Sequence, residues 1–547
     1  MTDSSSSARG DAEGAVEAAA GVVARAAGRL AELAADGTRI SVDRLDQHQV
    51  LAYDLAHAAA ATEGSRVMLE YAQHGELESM LARAYVADAV SDIAARLVGR
   101  ESVWGSGLDA LAGAMPFVEA HRAPSFLAEL GDATAQHGTG PGHLSDDFEL
   151  VAETFRRFAD DRIRPVAEHV HRTNGDVPEE LITGLAELGG FGLSVPEEYD
   201  GFASGGESDY LGMVVSTEEL SRGSLGIGGS LITRPEILTR ALVTGGTEEQ
   251  KRRWLPRVAT GELMAGIMVT EPDYGSDVAG VSVTATPVDG GWHINGVKTW
   301  ATFAGRANVI MLLARTDPDR SKGHRGLSVF VVEKEPVAGH SFRFEQPHGG
   351  VLDGRAIDTI GYRGMHSFEV SFSDWFVPAE NLVGGEEGRG RGFYLQMAGF
   401  ENGRLQTAAR AVGLMQAAFE AGIAYAQERK VFGRAVFDYE LTKVKLARMA
   451  ALIQGGRQFA YAVARQMANG EGTLEASMVK AYVCRAAEWV TREAMQIHGG
   501  MGYAEEFPVS RYYVDARVLS IFEGADETLC LRVIARRLAE QALASHS

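Results

Sequence analysis

Apolar residues recur at three- and four-residue intervals through the first part of the chain. Stretches such as QVLAYDLAHAAAATEGSRVMLEYA and ARAYVADAVSDIAARLVGR, rich in Ala, Leu, Val and Arg, predict an all-helical piece over 14–130. The polar, Gly- and Pro-bearing run GDATAQHGTGPGHLSDD, 131–147, predicts a linker. A second helical block, 148–261, opens with FELVAETFRRFADDRIRPVAEHV, and Ser145 with acids behind it predicts the N-cap. Over 262–385 the pattern changes to short alternating runs such as VSVTATPV, ANVIMLLART, GLSVFVVEK and FEVSFSDWFVP, separated by Gly, Pro and Asp, which predict a β domain. Within it, Asn295-Gly296 is the signal of a hairpin turn. Helical spacing returns over 386–547, where Met449, Leu452, Gly456, Phe459, Val463 and Met467 form one stripe. The order is α, α, β, α, and the Ser-rich residues 1–13 predict a disordered tail.

Composition adds limits. A chain of 547 residues, 45% of them hydrophobic, holds several globular domains of roughly 100–200 residues. The net charge of -22 disfavours non-specific binding to nucleic acid or anionic membranes, although the local cluster KRRWLPR, 251–257, suits a phosphorylated small molecule. Two cysteines, Cys484 and Cys530, form no CxxC and no disulfide framework, as expected in a reducing compartment. No apolar run approaches the roughly 18 residues of a membrane span. MTDSSSSARGDAEG also lacks the order of a signal peptide, so the expectation is a cytoplasmic protein.

Generic catalytic signatures are missing: there is no GxGxxG after a strand, no Walker loop, no HExxH and no GxSxG. His169 and His171, two apart, fall on different faces of a helix, and no metal site is expected. MVTEPDYGSDVAG, 268–280, offers backbone N–H groups and hydroxyls to a diphosphate or a flavin edge, but it also reads as a strand and an ordinary turn. NGVKTWATFAG, 295–305, fits a hairpin with core residues, and QIHGGMGYAEEFP, 496–508, fits a capped helix end. In IFEGADETL, 521–529, a carboxylate, Glu523, stands behind an apolar pair.

Taken together and in order, these stretches, with GYRGMHSFEVSFSDWFVPAENLVG and YAQERKVFG, closely resemble the acyl-CoA dehydrogenase family over 148–538. The resemblance implies an α+β, mainly α fold: a helical domain, a β-barrel-like middle domain and a C-terminal four-helix bundle, here preceded by an extra helical domain. It also implies noncovalent FAD, an acyl-CoA substrate, electron-transferring flavoprotein as acceptor, and a homodimer or homotetramer. Glu523 matches the family's base, which takes the α proton while the β hydrogen leaves as hydride to flavin N5. A weak carbon acid needs a desolvated base, and Ile521 and Phe522 are expected to supply that environment. A helix starting just downstream would oppose them by favouring the anion. Other members carry the base just before the arginine of FENGRLQTAARAVG; here that position is Gly403, which cannot serve unless Glu401 reaches in.

By the same resemblance, Met268, Val269, Thr270, Gly275, Ser276, Trp300 and Thr302 contact FAD. Arg429, Phe432, Gln496, Gly499 and Gly500 reach the FAD of a neighbouring subunit, and Phe400, Glu401 and Arg404 line the thioester path. Ala525 departs from the family, which usually has Thr there. The extra N-terminal domain and GGESDYLGMVVSTEELSRGSLGIGGSLITRPEIL most resemble the branch that oxidises (2S)-methylsuccinyl-CoA to mesaconyl-CoA in the ethylmalonyl-CoA pathway. Isobutyryl- or 2-methylbutyryl-CoA dehydrogenation, or a flavin acyl-CoA oxidase, are the alternatives. A second carboxylate on the substrate needs a cation, for which Arg222 is the expected residue and Arg234 the fallback. The glycines of GSLGIGGS, 223–230, either leave room for a branched acyl group or allow close helix packing.

Overall fold

The structure, a computed structural model, describes residues 2–545, with side chains described from residue 10. The chain forms two compact units: Asp146–Gln406, and Met1–Ser145 with Thr407–Ser547. Among the described residues no helix is long and apolar enough to cross a membrane.

In the second of these units the N-terminal extension is packed with the C-terminal helices. Helix Thr2–Ala34 lays Ala12, Ala19, Ala26 and Leu30 into a core shared with Leu55, Ile93 and Trp104 and with Ala535 and Ala539 of helix Ala535–Ser545. This corrects the expected disordered tail. Residues 10–13 are helical and Ala12 is buried, because small residues on one stripe of this helix have a core to enter. Met1 and the side chains of 2–9 lie outside the described residues.

The linker boundary moves as well. Helix Pro124–His137 runs through the first seven residues expected to be linker. Gly131 explains why: a Cβ there would stand 2.6 Å from the Lys443 carbonyl oxygen of helix Glu440–Ala468, so the glycine serves close helix contact rather than flexibility. Tyr85 of helix Glu76–Leu97 is wedged between two other glycines, Gly64 and Gly455, whose added Cβ atoms would fall 2.3 and 2.2 Å from its side chain.

The other unit combines helices with one eight-stranded sheet. Its strands are β1 Ala265–Met268, β2 Thr284–Val288, β3 Gly291–Thr302, β4 Val309–Arg315, β5 Leu327–Glu333, β6 Ser341–Glu345, β7 Val351–Ile357 and β8 Ser367–Pro378. They pair in the order β1-β4-β2-β3-β8-β7-β6, with β5 antiparallel to β4. Alternate residues of β4 enter opposite cores: Val309, Met311 and Leu313 on one face, Ile310, Leu312 and Ala314 on the other.

The hairpin expected at Asn295-Gly296 does not form, since β3 runs straight through both residues. The turn lies at Asp289-Gly290, where Gly290 has φ +74°, and β2 then pairs with β3 from Val288↔Gly291 to Thr284↔Asn295. Asn295 instead exchanges two 2.9 Å hydrogen bonds with Asp374 at an irregularity in β8. A long antiparallel partner on each side outweighs the local turn preference. Helix Asp146–Phe158 begins directly after Ser145, as expected.

Candidate functional site

The two stretches expected to meet FAD are joined by a buried ion pair. β1 ends at Met268, and the chain leaves the sheet through Val269 and Thr270 to Glu271. Lys298 of β3, fully buried, donates from Nζ to the Val269 carbonyl and to Glu271 Oε1, both at 2.8 Å, while the Thr299 N–H donates to the Thr270 carbonyl at 2.9 Å. Glu271 also accepts from the Ser282 N–H and hydroxyl and from the Val283 N–H, closing the loop 272–282. Burial pushes Lys298 down to about 8 against the attraction of Glu271. Burial would raise Glu271, but Lys298 and these donors hold it below the usual carboxylate range.

Around this clamp the sheet presents a surface rather than a core. β3 carries an extra residue opposite Phe368 and Val370 of β8, and within that bulge Trp300 takes φ +56° and stays 55% exposed. Thr302 is buried, its hydroxyl 3.1 Å from the Ser367 hydroxyl. Gly275 and Ser276 are exposed, and a Cβ on Gly275 would meet nothing within 4 Å. Met268 and Val269 have buried side chains, so only their backbone could meet a ligand. An exposed indole, hydroxyl donors and an open glycine, over a locally charge-neutral base, fit a flavin.

The substrate candidates of the same unit lie on its helices. Phe400, Glu401 and Arg404 are half-buried on helix Gly392–Glu428, with Gly403 buried between them. Asn402 donates to the buried carboxylate of Glu236 on helix Ser230–Gly245. Burial pushes the Glu401 carboxyl up, opposed by Arg404. Arg222 ends helix Met213–Gly223, where its Nη1 donates to both oxygens of Asp160 at 3.0 and 3.2 Å. Arg234 is buried, with Nη2 3.2 Å from the Tyr362 hydroxyl. The glycines between them serve packing: a Cβ on Gly226 would lie 2.3 Å from the Arg363 carbonyl oxygen, and one on Gly229 would lie 1.8 Å from Ser221 Oγ.

Glu523 belongs to the other unit, in the turn between helix Val509–Leu519 and the helical run that begins at Asp526. Glu523 and Gly524 both have left-handed backbone, φ +54° and +95°. The Glu523 side chain is only 5% exposed, 3.8 Å from the guanidinium of fully buried Arg410. Desolvation does not come from both residues expected to provide it. Ile521 is 53% exposed, and Phe522 receives the Arg410 guanidinium 4.7 Å from its ring centroid. Fully buried Lys480 of helix Thr473–His498 donates to the Gly524 carbonyl at 2.6 Å. Ala525 precedes the helical run and offers it no side-chain cap. Asp526, one residue further, is held by Tyr53 and His57 of the N-terminal extension.

Arg410, Lys480, Tyr53, His57 and Asp526 were missed from sequence. Arg410 and Lys480 leave a faint signal as lone cations in Ala-rich helical stretches, AARAVG and MVKAYV. The pairing of Tyr53 and His57 with Asp526 spans some 470 residues and leaves none.

The residues expected at a neighbouring subunit are all exposed in this same unit: Arg429, Gln496, Gly499, Gly500, and Phe432, which is 98% exposed with φ +48° between two short paired strands, Lys430–Val431 and Arg434–Ala435.

Three family models match this chain: "Acyl-CoA dehydrogenase, N-terminal domain" over residues 145–262, "Acyl-CoA dehydrogenase, middle domain" over 266–375, and "Acyl-CoA dehydrogenase, C-terminal domain" over 390–539. The (2S)-methylsuccinyl-CoA dehydrogenase of Cereibacter sphaeroides is 38% identical over 521 residues, which cover 92% of this chain and 93% of that protein. Among solved structures, butyryl-CoA dehydrogenase from Megasphaera elsdenii superposes with a TM-score of 0.65 at 30% identity, covering 72% of this chain and 97% of its own. A structure described as the electron transferring flavoprotein of Acidaminococcus fermentans also matches with a TM-score of 0.65 at 30% identity, over 73% of this chain and 98% of its own. With three consecutive domain models matched, and a clamp and open surface that fit a flavin, the chain belongs to the acyl-CoA dehydrogenase family and is an FAD-dependent oxidoreductase of that family.

Proposed function

We propose that this protein oxidises (2S)-methylsuccinyl-CoA to mesaconyl-CoA, as a step of the ethylmalonyl-CoA pathway, with Glu523 as the base. The observation that carries the substrate is the reach of the similarity. The Cereibacter sphaeroides enzyme aligns over 92% of the chain, N-terminal extension included, whereas butyryl-CoA dehydrogenase covers 72%.

In this reading the Glu523 carboxylate takes the α proton of the thioester and the β hydrogen departs with its electron pair, leaving an α,β double bond. FAD, when bound, supplies the acceptor for that hydride. Met268, Val269, Thr270, Gly275, Ser276, Trp300 and Thr302 hold the cofactor, and Phe400, Glu401 and Arg404 receive the thioester. Seclusion from solvent supports the role of Glu523, since bulk water is kept from the carboxylate and from the proton it would take. Nearby Arg410 fixes where the carboxylate stands. Arg222 receives the free carboxylate of the substrate, its guanidinium oriented by Asp160. Electrons then pass to electron-transferring flavoprotein. Exposure of Phe432 supports a homodimer or homotetramer, since a fully exposed Phe beside Arg429 suits a surface that a second copy covers.

The test is an anaerobic titration of the FAD-loaded protein with methylsuccinyl-CoA, repeated with Glu523→Gln. Bleaching of the flavin in the first and none in the second supports substrate and base together. Bleaching by isobutyryl-CoA but not by methylsuccinyl-CoA removes the substrate, and bleaching of Glu523→Gln removes the base.

A further inference from the structure

The N-terminal extension touches the turn that carries Glu523, and it does so with polar side chains. Tyr53 and His57 stand one helical turn apart on helix Gln49–Tyr71. The Tyr53 hydroxyl donates to Asp526 Oδ2 at 2.6 Å, and His57 Nε2 lies 3.2 Å from the same oxygen. His57 and Asp526 are both buried, Cys530 Sγ closes the cluster 3.5 Å from His57 Nε2, and the Arg485 guanidinium sits 5.8 Å from the centre of the Tyr53 ring. Asp526 is three residues after Glu523, and its backbone N–H donates to the Ser520 carbonyl at 3.0 Å, so it spans the turn. The turn needs such support: left-handed backbone at a glutamate persists only where its surroundings over-determine it. Lys480 holds the Gly524 carbonyl from one side, and the extension holds Asp526 from the other.

We infer that Tyr53 and His57 are positioning residues for proton abstraction, acting through Asp526 to keep the Glu523 carboxylate in place. The inference rests on Glu523 being the base. It gives the extension a part in the reaction, and it places a buried aspartate directly after Ala525, where the family's usual hydroxyl is missing.

The test uses the full-length holoenzyme and its variants Tyr53→Phe, Asp526→Ala and the conservative Asp526→Asn. The probe is methylsuccinyl-CoA, or isobutyryl-CoA if the former leaves the flavin oxidised. Tyr53→Phe and Asp526→Ala are expected to slow the limiting rate of flavin reduction about tenfold or more, with half-saturation within about twofold of the parent. In both, the α-deuterium isotope effect should rise, and the amides of residues 522–529 should exchange faster. Asp526→Asn, which still accepts from Tyr53, should recover most of the rate. A limiting rate within about twofold of the parent in both Tyr53→Phe and Asp526→Ala, whatever their melting temperatures, overturns the inference and leaves a structural strap. Glu523→Gln separates the two readings. If it still reduces its flavin, the base assignment falls and the inference with it; if it is silent while Tyr53→Phe and Asp526→Ala both behave as the parent, only the inference falls.

Discussion

The guanidinium of Arg410 stands 3.8 Å from the Glu523 carboxylate, with no exposed surface of its own, while its Nη2 donates to the Thr407 hydroxyl at 2.7 Å. A buried cation beside the proposed base contributes position as well as charge. Arg410→Gln should therefore destabilise the fold by about 3 kcal/mol, since it leaves a secluded carboxylate without its counter-charge. Urea denaturation of the holoenzyme measures this, and a change under about 1 kcal/mol would mean that solvent reaches the pair.

A buried pair also governs the cofactor surface. Lys298→Met leaves Glu271 secluded without its cation and unties Val269 from β3, so a loss of about 3–5 kcal/mol is expected. FAD content of the purified protein should fall with it. Full FAD content in a stable Lys298→Met protein would show that the clamp does not shape the cofactor surface.

Substrate selection should divide between two arginines. Under the methylsuccinyl-CoA reading, Arg222→Gln raises KM for methylsuccinyl-CoA by about tenfold or more and leaves isobutyryl-CoA nearly unchanged, since a lost charge-assisted hydrogen bond is worth about 1.5–3 kcal/mol. Arg234→Gln, removing a buried guanidinium next to Tyr362, should act on stability. The reverse pattern in steady-state kinetics would move the carboxylate to Arg234.

The cluster at the extension predicts acid sensitivity. Burial lowers the His57 pKa below its ordinary 6.5 against the pull of Asp526, so the imidazole stays neutral in the folded protein while the unfolded chain binds a proton. Stability should accordingly fall as pH drops below about 6.5. Burial would raise Asp526, but His57 and Tyr53 hold it below 3.8; its contribution is present above that value and is lost only as pH falls through the lower folded-state value. Tyr53 and Cys530 are both pushed up, chiefly by burial, and stay protonated throughout, and the Arg485 and Arg96 guanidiniums also face His57. Thermal denaturation at pH 5.5 and 7.5 (about one unit either side of this range) should show a smaller difference for His57→Gln than for the parent; an equal difference would place the acid sensitivity elsewhere.

Close helix contact predicts the effect of a single methyl group. Gly131→Ala places a Cβ 2.6 Å from a backbone carbonyl that cannot rotate away, and should destabilise by about 1–3 kcal/mol despite the better helix propensity of Ala. A stabilised Gly131→Ala protein, measured by denaturation, would mean that this contact is slack.

The helical and strand textures, the change at residue 262 and the ordered set of motifs were readable because each depends on neighbours within a few residues. Hydrophobic period follows from local geometry, and the motifs resemble those of one family. These determined the fold class, the flavin chemistry and the candidate base. Local signals misled where distant partners decide. Asn295-Gly296 looks like a turn until β2 and β8 pair on either side of it, and Gly131 looks like a linker residue until Lys443 lies against it. Ile521 looks like a desolvating wall, yet it faces water while Arg410, over a hundred residues away, occupies that place. Tertiary structure alone brought Tyr53 and His57 to Asp526 and Lys298 to Glu271. A buried charge or hydroxyl is stable only where the whole fold delivers its partner, and no local stretch of sequence carries that information.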